Sequence, residues 1–258
     1  MKAMILSAGL GTRLRPLTDT RPKALVEISG RTLLEINLAR LRNFGIQEVI
    51  LNVHHFADMV VDYLRSHNNF GMRIEISREE ILLDTGGGLK KASWFFLEDQ
   101  SRLDEPFLLH NVDIVSTIDF SRMLQFHNEH KALATLAVQL RDSSRQLLFD
   151  DSLQLSGRRI RQKSGEVSEE LVHSPLAPRH SSLLQPLAFS GIHLISPRLL
   201  PLITEDGIFS IIDTYLRLAS HHQKILAFRS DQYYWRDLGR PSDLAQAAED
   251  FEKGTPFA

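Results

Sequence analysis

A glycine-rich turn with two basic residues behind it is the first place in the sequence where chemistry is expected. Gly9 and Gly11 frame this turn, Thr12 and Arg13 follow directly, and Lys23 comes shortly afterwards. Glycine lets the backbone approach a phosphate closely, and successive N–H groups then form a concave site for an anion. Arg13 and Lys23 add full positive charges. The turn therefore predicts binding of a phosphorylated ligand.

Two other phosphate-binding patterns do not fit this turn. A P-loop requires Gly-x-x-x-x-Gly-Lys-Ser/Thr, which the chain lacks. A dinucleotide fingerprint requires a third glycine where Leu14 stands. The remaining alternative is a structural strand-to-helix turn with basic residues at its surface. The ordered presence of Pro16, Thr18 and Pro22 before Lys23 argues against that alternative.

The elements around the turn alternate between strands and helices. The expected strands cover residues 1–7, 48–53, 73–77 and 106–110, and the expected helices cover residues 32–44, 56–64 and a stretch that follows Gly86–Gly88. This order predicts an α/β fold, with a Rossmann-like mixed, mostly parallel sheet flanked by helices on both faces. Ligands of such sheets bind beyond the carboxyl ends of strands. Because the glycine turn and Asp113 both follow strand ends, we expect them to share one site.

The second part of the chain has a different pattern. Strands are expected at residues 134–140, 146–150 and 187–195, without long helices between them, and helices return at 210–220 and 242–251. Residues 164–186 are rich in serine, histidine and proline, which predicts a loop or a lid over the site. No hexapeptide repeats of a β-helix extension follow. We therefore expect a single domain.

Composition excludes several classes of function. The 258 residues carry a net charge of -2, so there is no cationic surplus for a nucleic-acid backbone. The absence of cysteine excludes disulfides, thiolate metal sites and cysteine nucleophiles. No apolar run is long enough for a signal peptide or a membrane span. We expect a cytoplasmic protein with neither nucleic-acid nor membrane partners.

The glycine turn, read together with Pro22 and Lys23, resembles the signature of the sugar-1-phosphate nucleotidyltransferases. That family includes mannose-1-phosphate guanylyltransferases, glucose-1-phosphate thymidylyltransferases and N-acetylmuramate-1-phosphate uridylyltransferases. Other segments resemble the family in the same order, namely Leu25–Leu34, Asp84–Leu89, Phe189–Ile192 and Trp235–Gly239. The resemblance implies one nucleotidyltransferase domain over residues 1–258. Its nucleotide-binding half would be 1–133, its sugar-phosphate-binding half 134–240 and its C-terminal helix 241–258.

The resemblance also implies roles for individual residues. Arg13 and Lys23 are expected to be catalytic, and Asp113 and Asp237 are expected to hold Mg²⁺, which prefers carboxylate oxygens. The residues expected to bind the nucleotide are Ala8, Gly9, Gly11, Thr12, Arg13, Gly86, Gly87 and Gly88, the last three receiving the base. The residues expected near the sugar phosphate are Val112, Arg145 and Gly191.

The implied reaction joins an NTP and a sugar 1-phosphate into an NDP-sugar and releases pyrophosphate. A phosphate monoester is largely ionised near pH 7, so in-line attack on the α-phosphorus needs no general base. The sequence is compatible with a homo-oligomer.

Two departures from the family keep alternatives open. Val112 stands where the family has glycine, and the family's Glu-Lys-Pro acceptor motif is absent. One alternative is a phosphocholine-type cytidylyltransferase of the same fold. The other is a regulatory protein that binds a nucleotide sugar without turning it over.

Overall fold

In the part of the chain that the structure describes, one sheet of ten strands has helices on both of its faces. The computed structural model describes residues 1–172 and 184–254. Within them, the α-helices are α1 (Leu33–Asn43), α2 (Ala57–Ser66), α3 (Asp84–Leu97), α4 (Phe120–His130), α5 (Ile211–Ser220) and α6 (Pro241–Glu252).

In the described residues the strands are more numerous than the helices, and most of them are shorter. The first seven are β1 (Lys2–Leu6), β2 (Glu27–Ile28), β3 (Arg31–Thr32), β4 (Glu48–Val53), β5 (Arg73–Arg78), β6 (Phe107–Asn111) and β7 (Ile114–Ser116). The others are β8 (Ala134–Gln139), β9 (Arg145–Phe149), β10 (Leu155–Arg161), β11 (Val167–Leu171), β12 (Gln185–Ile195), β13 (Ile225–Arg229) and β14 (Trp235–Asp237).

The first part of the sheet is parallel, in the order β6-β1-β4-β5. Its central strands are apolar because both faces are covered. In β1, Ala3 and Ile5 pack in one apolar layer, with residues of α1, α2 and α6, while Met4 packs in the other, with residues of α3 and α5. The predicted α/β fold with a mixed sheet and helices on both faces is confirmed.

The second part of the sheet is mostly antiparallel. The long strand β12 runs antiparallel to β6, β8 and β9, and β10 and β11 extend the sheet beyond β9. Strand β10 escaped the sequence analysis because Arg158, Arg159 and Arg161 hide any apolar alternation. The loop expected over 164–186 is wrong in part, since β11 occupies Val167–Leu171; residues 173–183 lie outside the described residues.

A second correction concerns the glycine run Gly86–Gly88. These residues lie inside α3, which begins at Asp84, instead of preceding the helix. Glycine weakens a helix interior, so tertiary contacts must compensate here. Among the described residues, no helix is both long and apolar enough to span a bilayer.

Candidate active site

The glycine turn directly follows β1, and the side chain of Thr18 packs back against it. Gly11 has a left-handed backbone with φ of +65°, which glycine adopts without strain. A Cβ there would come within 2.9 Å of the Thr18 side chain and 3.3 Å of Lys23 Cβ. Thr18 Oγ1 donates a hydrogen bond of 2.8 Å to the Gly11 carbonyl. Gly11 is therefore required for both conformation and space.

The turn forms one wall of a cavity of about 470 Å³, which we call the nucleotide cavity. Gly9 faces open space, since a Cβ there would have no neighbour within 4 Å. The other residues that line this cavity are Leu6, Ser7, Ala8, Gly11, Thr12, Arg13, Lys23, Asn52, Leu82, Asp84, Thr85, Asn111, Val112, Asp113, Ile208 and Gly239. The structure thus brings Ala8, Gly9, Gly11, Thr12, Arg13 and Lys23 together as expected.

Pairing between β7 and β14 brings the two predicted metal carboxylates together. These strands are antiparallel, with Asp237 opposite Ile114, so Asp237 lies beside Asp113. The Leu238 amide donates a 2.8 Å hydrogen bond to the Asp113 carbonyl and holds this register. Two residues far apart in sequence therefore meet at the carboxyl end of β6, the edge where such sheets bind ligands.

Each carboxylate faces one of the predicted catalytic cations. Lys23 Nζ donates to Asp113 Oδ2, with both side chains largely buried. Arg13 Nη2 lies 3.5 Å from Asp237 Oδ2. A Cβ on Gly239 would come within 2.3 Å of the Arg13 guanidinium, so glycine at this position leaves room for Arg13. Arg13, Lys23 and Asp113 line the nucleotide cavity, and Asp237 completes this cluster of opposite charges beside it.

Asp237 is the member of this cluster whose negative charge is disfavoured by its surroundings. Burial raises the pKa of its carboxyl group, and the nearby Asp113 raises it further, while Lys23 and Arg13 oppose both effects. Its Oδ1 atom is buried and makes no hydrogen bond of normal geometry to the described residues. A buried carboxylate oxygen without a partner is costly. The arrangement would be relieved by an additional cation.

The three glycines of α3 face protein instead of the cavity. A Cβ on Gly86 would come within 2.3 Å of the Phe209 ring, and one on Gly87 within 2.5 Å of the Gly207 carbonyl oxygen. A Cβ on Gly88 would come within 2.8 Å of Asn52 and Glu79. The neighbours that do line the cavity are Leu82, Asp84 and Thr85. That Gly86–Gly88 receive the base stays a prediction, and their observed contacts serve close packing.

A second cavity, of about 600 Å³, opens beside the first, and we call it the acceptor cavity. Asp84, Thr85 and Asn111 line both cavities. Its arginines are Arg141, Arg145, Arg158 and Arg159, and Phe189, Gly191, His193, Trp235 and Asp237 are among its other lining residues. The two cavities therefore meet next to the charged cluster.

Val112, Arg145 and Gly191 occupy three different environments. Val112 is 3% exposed and belongs to the apolar core, although it also borders the nucleotide cavity. Arg145 is exposed at the start of β9 and lines the acceptor cavity. Gly191 also lines that cavity; with φ of +73°, it has no room for a Cβ, which would lie 2.9 Å from Asn111 and Ile114.

His193 is a buried histidine that lines the acceptor cavity. Its Nδ1 lies 2.9 Å from the Tyr215 hydroxyl. Burial, and to a smaller extent the nearby His110, lower the pKa of His193 to about 3. The ring is therefore neutral near pH 7 and is a poor general acid.

Sequence reasoning missed several polar residues of the site. Asn52 joins strand ends, because its Oδ1 accepts a 2.8 Å hydrogen bond from the Ser7 amide and its Nδ2 donates one of 2.8 Å to Glu79. Glu79 in turn accepts from the Leu83 amide at 2.9 Å. The usable signal was the position of Asn52 and Glu79 at the ends of β4 and β5, the edge expected to bind ligand.

Comparison with known proteins places this geometry in a family. A family model described as Nucleotidyl transferase matches residues 2–147. N-acetylmuramate alpha-1-phosphate uridylyltransferase from Caulobacter vibrioides is 33% identical over 232 residues, which cover 84% of this chain and 84% of that protein. Mannose-1-phosphate guanyltransferase from Aspergillus fumigatus is 30% identical over 253 residues, which cover 95% of this chain and 62% of that protein.

A solved structure extends the likeness to the fold. HddC from Yersinia pseudotuberculosis, crystallised with GMP-PN, superposes with a TM-score of 0.72 at 23% identity, covering 97% of this chain and 99% of that one. At this identity the likeness concerns the fold alone. The family match covers more than half of the chain, and the C. vibrioides relative is similar along most of its length. The chain therefore belongs to the nucleotidyl transferase family.

Proposed function

We propose that the protein transfers a nucleoside monophosphate from an NTP to a sugar 1-phosphate, giving an NDP-sugar and pyrophosphate. The observation that carries this proposal is the meeting of two cavities beside a cluster of two cations and two carboxylates. Such a junction suits a reaction between two phosphorylated substrates, because it can place one phosphate against another. The relatives from C. vibrioides and A. fumigatus carry names of this reaction type.

The two halves of the chain divide the substrates in this proposal. Residues 1–133 bind the NTP, with the triphosphate against the turn from Ala8 to Arg13. Residues 134–240 supply most of the acceptor cavity. Of the C-terminal segment, α6 (Pro241–Glu252) packs against β14, which carries Asp237.

Asp113 and Asp237 are the residues that would hold a magnesium ion. The supporting observations are the buried, unpartnered Oδ1 of Asp237 and the raised pKa of its carboxyl group. Hard carboxylate oxygens are the ligands that Mg²⁺ prefers. When bound there, Mg²⁺ supplies positive charge that stabilises the α-phosphate and the departing pyrophosphate.

The chain's own cations hold and orient the phosphates. Lys23 exchanges its contact with Asp113 for phosphate oxygens and offsets the repulsion between the two substrates. Arg13 contacts the triphosphate from the opposite side. The acceptor phosphate is ionised near pH 7, so no side chain has to remove a proton before the attack. Catalysis then consists of positioning and charge stabilisation.

Arg141 is suited to orient the acceptor phosphate at the junction. Its guanidinium lies 3.8 Å above the Trp235 ring, and its Nη2 donates a 2.7 Å hydrogen bond to the Phe189 carbonyl. Its buried Nε has no partner among the described residues. A guanidinium group fixed in this way beside the charged cluster is suited to bind a phosphate oxygen.

The same contact argues against a phosphocholine acceptor. Quaternary ammonium groups are bound by the faces of aromatic rings. The face of Trp235 in this cavity is already covered by Arg141, and the other charged groups there are mainly arginines. The cavity therefore favours an anionic acceptor.

The decisive experiment is a matrix of pyrophosphate release, with four NTPs against several sugar 1-phosphates and phosphocholine. We expect release with at least one sugar 1-phosphate, dependent on Mg²⁺. Release with phosphocholine alone would favour the cytidylyltransferase. NTP binding by calorimetry without any release would favour the regulatory protein.

A further inference from the structure

Strands β9 and β10 build one wall of the acceptor cavity. Arg145, Gln146 and Leu147 of β9 and Arg158, Arg159 and Ile160 of β10 all line the cavity. The register pairs Arg145 with Ile160 and Leu147 with Arg158. This wall therefore carries three guanidinium groups beside an apolar patch.

Arg158 and Arg159 are both held by carboxylates of the protein. Arg158 contacts Asp213 at 2.6 Å and Glu170 at 2.7 Å. Arg159 contacts Glu169 at 2.7 Å. Their donors are therefore largely used within the fold, and they form a fixed frame for the wall.

Arg141 belongs to the opposite, reacting side of the cavity. It stacks on Trp235, two residues before Asp237, and the charge of Asp237 partly offsets the effect of burial, which lowers the pKa of Arg141. A 1-phosphate that reaches the charged cluster therefore lies against this arginine. The 1-phosphate of the acceptor is therefore the binding partner expected for Arg141.

The 1-phosphate leaves the side chain of Arg145 without a binding partner. Its side chain makes no ion pair or hydrogen bond with residues 1–172 or 184–254, in contrast to the other cavity arginines. The guanidinium group of Arg145 thus borders the cavity with its N–H donors unused by the described residues. A guanidinium fork matches a planar carboxylate with two parallel hydrogen bonds.

We propose that the acceptor sugar carries a carboxylate in addition to its 1-phosphate, and that Arg145 binds this carboxylate on the β9–β10 wall. The inference rests on the proposed function and specifies its substrate class as an acidic sugar 1-phosphate. Leu147 and Ile160 contact the apolar part of the same substituent. Arg145 is then a specificity-determining residue, remote from the bond that forms.

Matched acceptors test this proposal. N-acetylmuramate 1-phosphate and N-acetylglucosamine 1-phosphate differ by one carboxylate-bearing ether, and glucuronic acid 1-phosphate and glucose 1-phosphate differ by one carboxylate. We expect the acidic member of at least one pair to have a kcat/KM about tenfold or more above its neutral partner, the scale of a charged hydrogen bond. Arg145→Leu should bring this ratio close to one by lowering the acidic acceptor alone.

Arg161→Leu is the matched control. Arg161 lies on β10, contacts Asp142 at 2.5 Å and does not line the acceptor cavity. This variant should keep the wild-type ratio. Neutral acceptors preferred in both pairs, or an acidic preference that survives Arg145→Leu, would overturn the inference and leave the proposed function standing. Absence of release with every sugar 1-phosphate would overturn both.

Discussion

The nucleotide cavity and the acceptor cavity differ in how their charged side chains are paired. In the charged cluster each cation faces a carboxylate, Lys23 with Asp113 and Arg13 with Asp237. In the acceptor cavity Arg158 and Arg159 are paired with carboxylates of the surrounding fold, Arg141 donates to the Phe189 carbonyl, and Arg145 has no partner among the described residues. We therefore expect the first site to exchange partners when it binds substrate, whereas the second already presents one unpaired guanidinium group, that of Arg145.

The cavities also differ in how their walls are built. On the nucleotide side of the molecule, Gly11 and the glycines of α3 are packed against protein atoms without spare room. The acceptor wall is a set of strands with long side chains, which can accommodate different sugars. We therefore expect substitutions on the nucleotide side to affect turnover or folding, and substitutions on the acceptor side to affect selectivity.

The largest effect is expected from Asp113→Asn, which breaks the buried pair on the nucleotide side. A neutral amide is a poor ligand for a hard dication, so the variant should lose Mg²⁺-dependent pyrophosphate release. Asp206→Asn, at an exposed pair with Lys90, is the control and should behave as wild type. If Asp113→Asn keeps both its rate and its response to Mg²⁺, the metal assignment is wrong.

Lys23→Ala removes the other partner of that pair. We expect kcat/KM to fall by about 10²-fold or more, because a charge contact in the transition state is lost. Lys90→Ala removes a lysine that contacts Asp206 away from both cavities and should leave kcat/KM unchanged. Circular dichroism should show that both variants are folded. Wild-type kinetics for folded Lys23→Ala would remove Lys23 from the site.

Two glycine substitutions separate binding from packing. Gly86→Ala drives a methyl group into the Phe209 ring, so we expect the free energy of unfolding to fall by about 1–3 kcal/mol. Gly9→Ala meets no protein atom within 4 Å, so it should leave stability unchanged and raise the KM for the NTP. Urea unfolding and steady-state kinetics on both variants measure this contrast. Equal stability of the two would show that Gly86 is not held by packing.

The smallest effect on catalysis is expected at Val112, on the border of the nucleotide cavity. Its burial favours a packing role, so Val112→Ala should lower the free energy of unfolding by about 1–3 kcal/mol and leave acceptor ratios unchanged. Val115→Ala, 2% exposed and outside both cavities, should do the same. A shift of 10–200-fold between two sugar phosphates in Val112→Ala alone would instead support a substrate contact.

Local signals predicted the parallel part of the fold well. Apolar runs such as Lys2–Leu6 and Glu48–Val53 form strands close to their expected bounds, because strands buried on both faces are apolar throughout. The antiparallel edge was harder to predict. Strand β11 is exposed at every position, so its pairing with β10 leaves no alternation of apolar and polar residues to read.

The turn from Gly9 to Arg13, with Lys23 behind it, was determined by the sequence alone, since glycine geometry and charge are properties of consecutive residues. Tertiary structure decided the rest of the site. Asp237 meets Asp113 only through the register of β14 on β7, and Gly86 and Gly87 face protein only because the segment from Gly207 to Phe209 packs on α3. Contacts between residues distant in sequence depend on sheet register and packing, which no local pattern specifies.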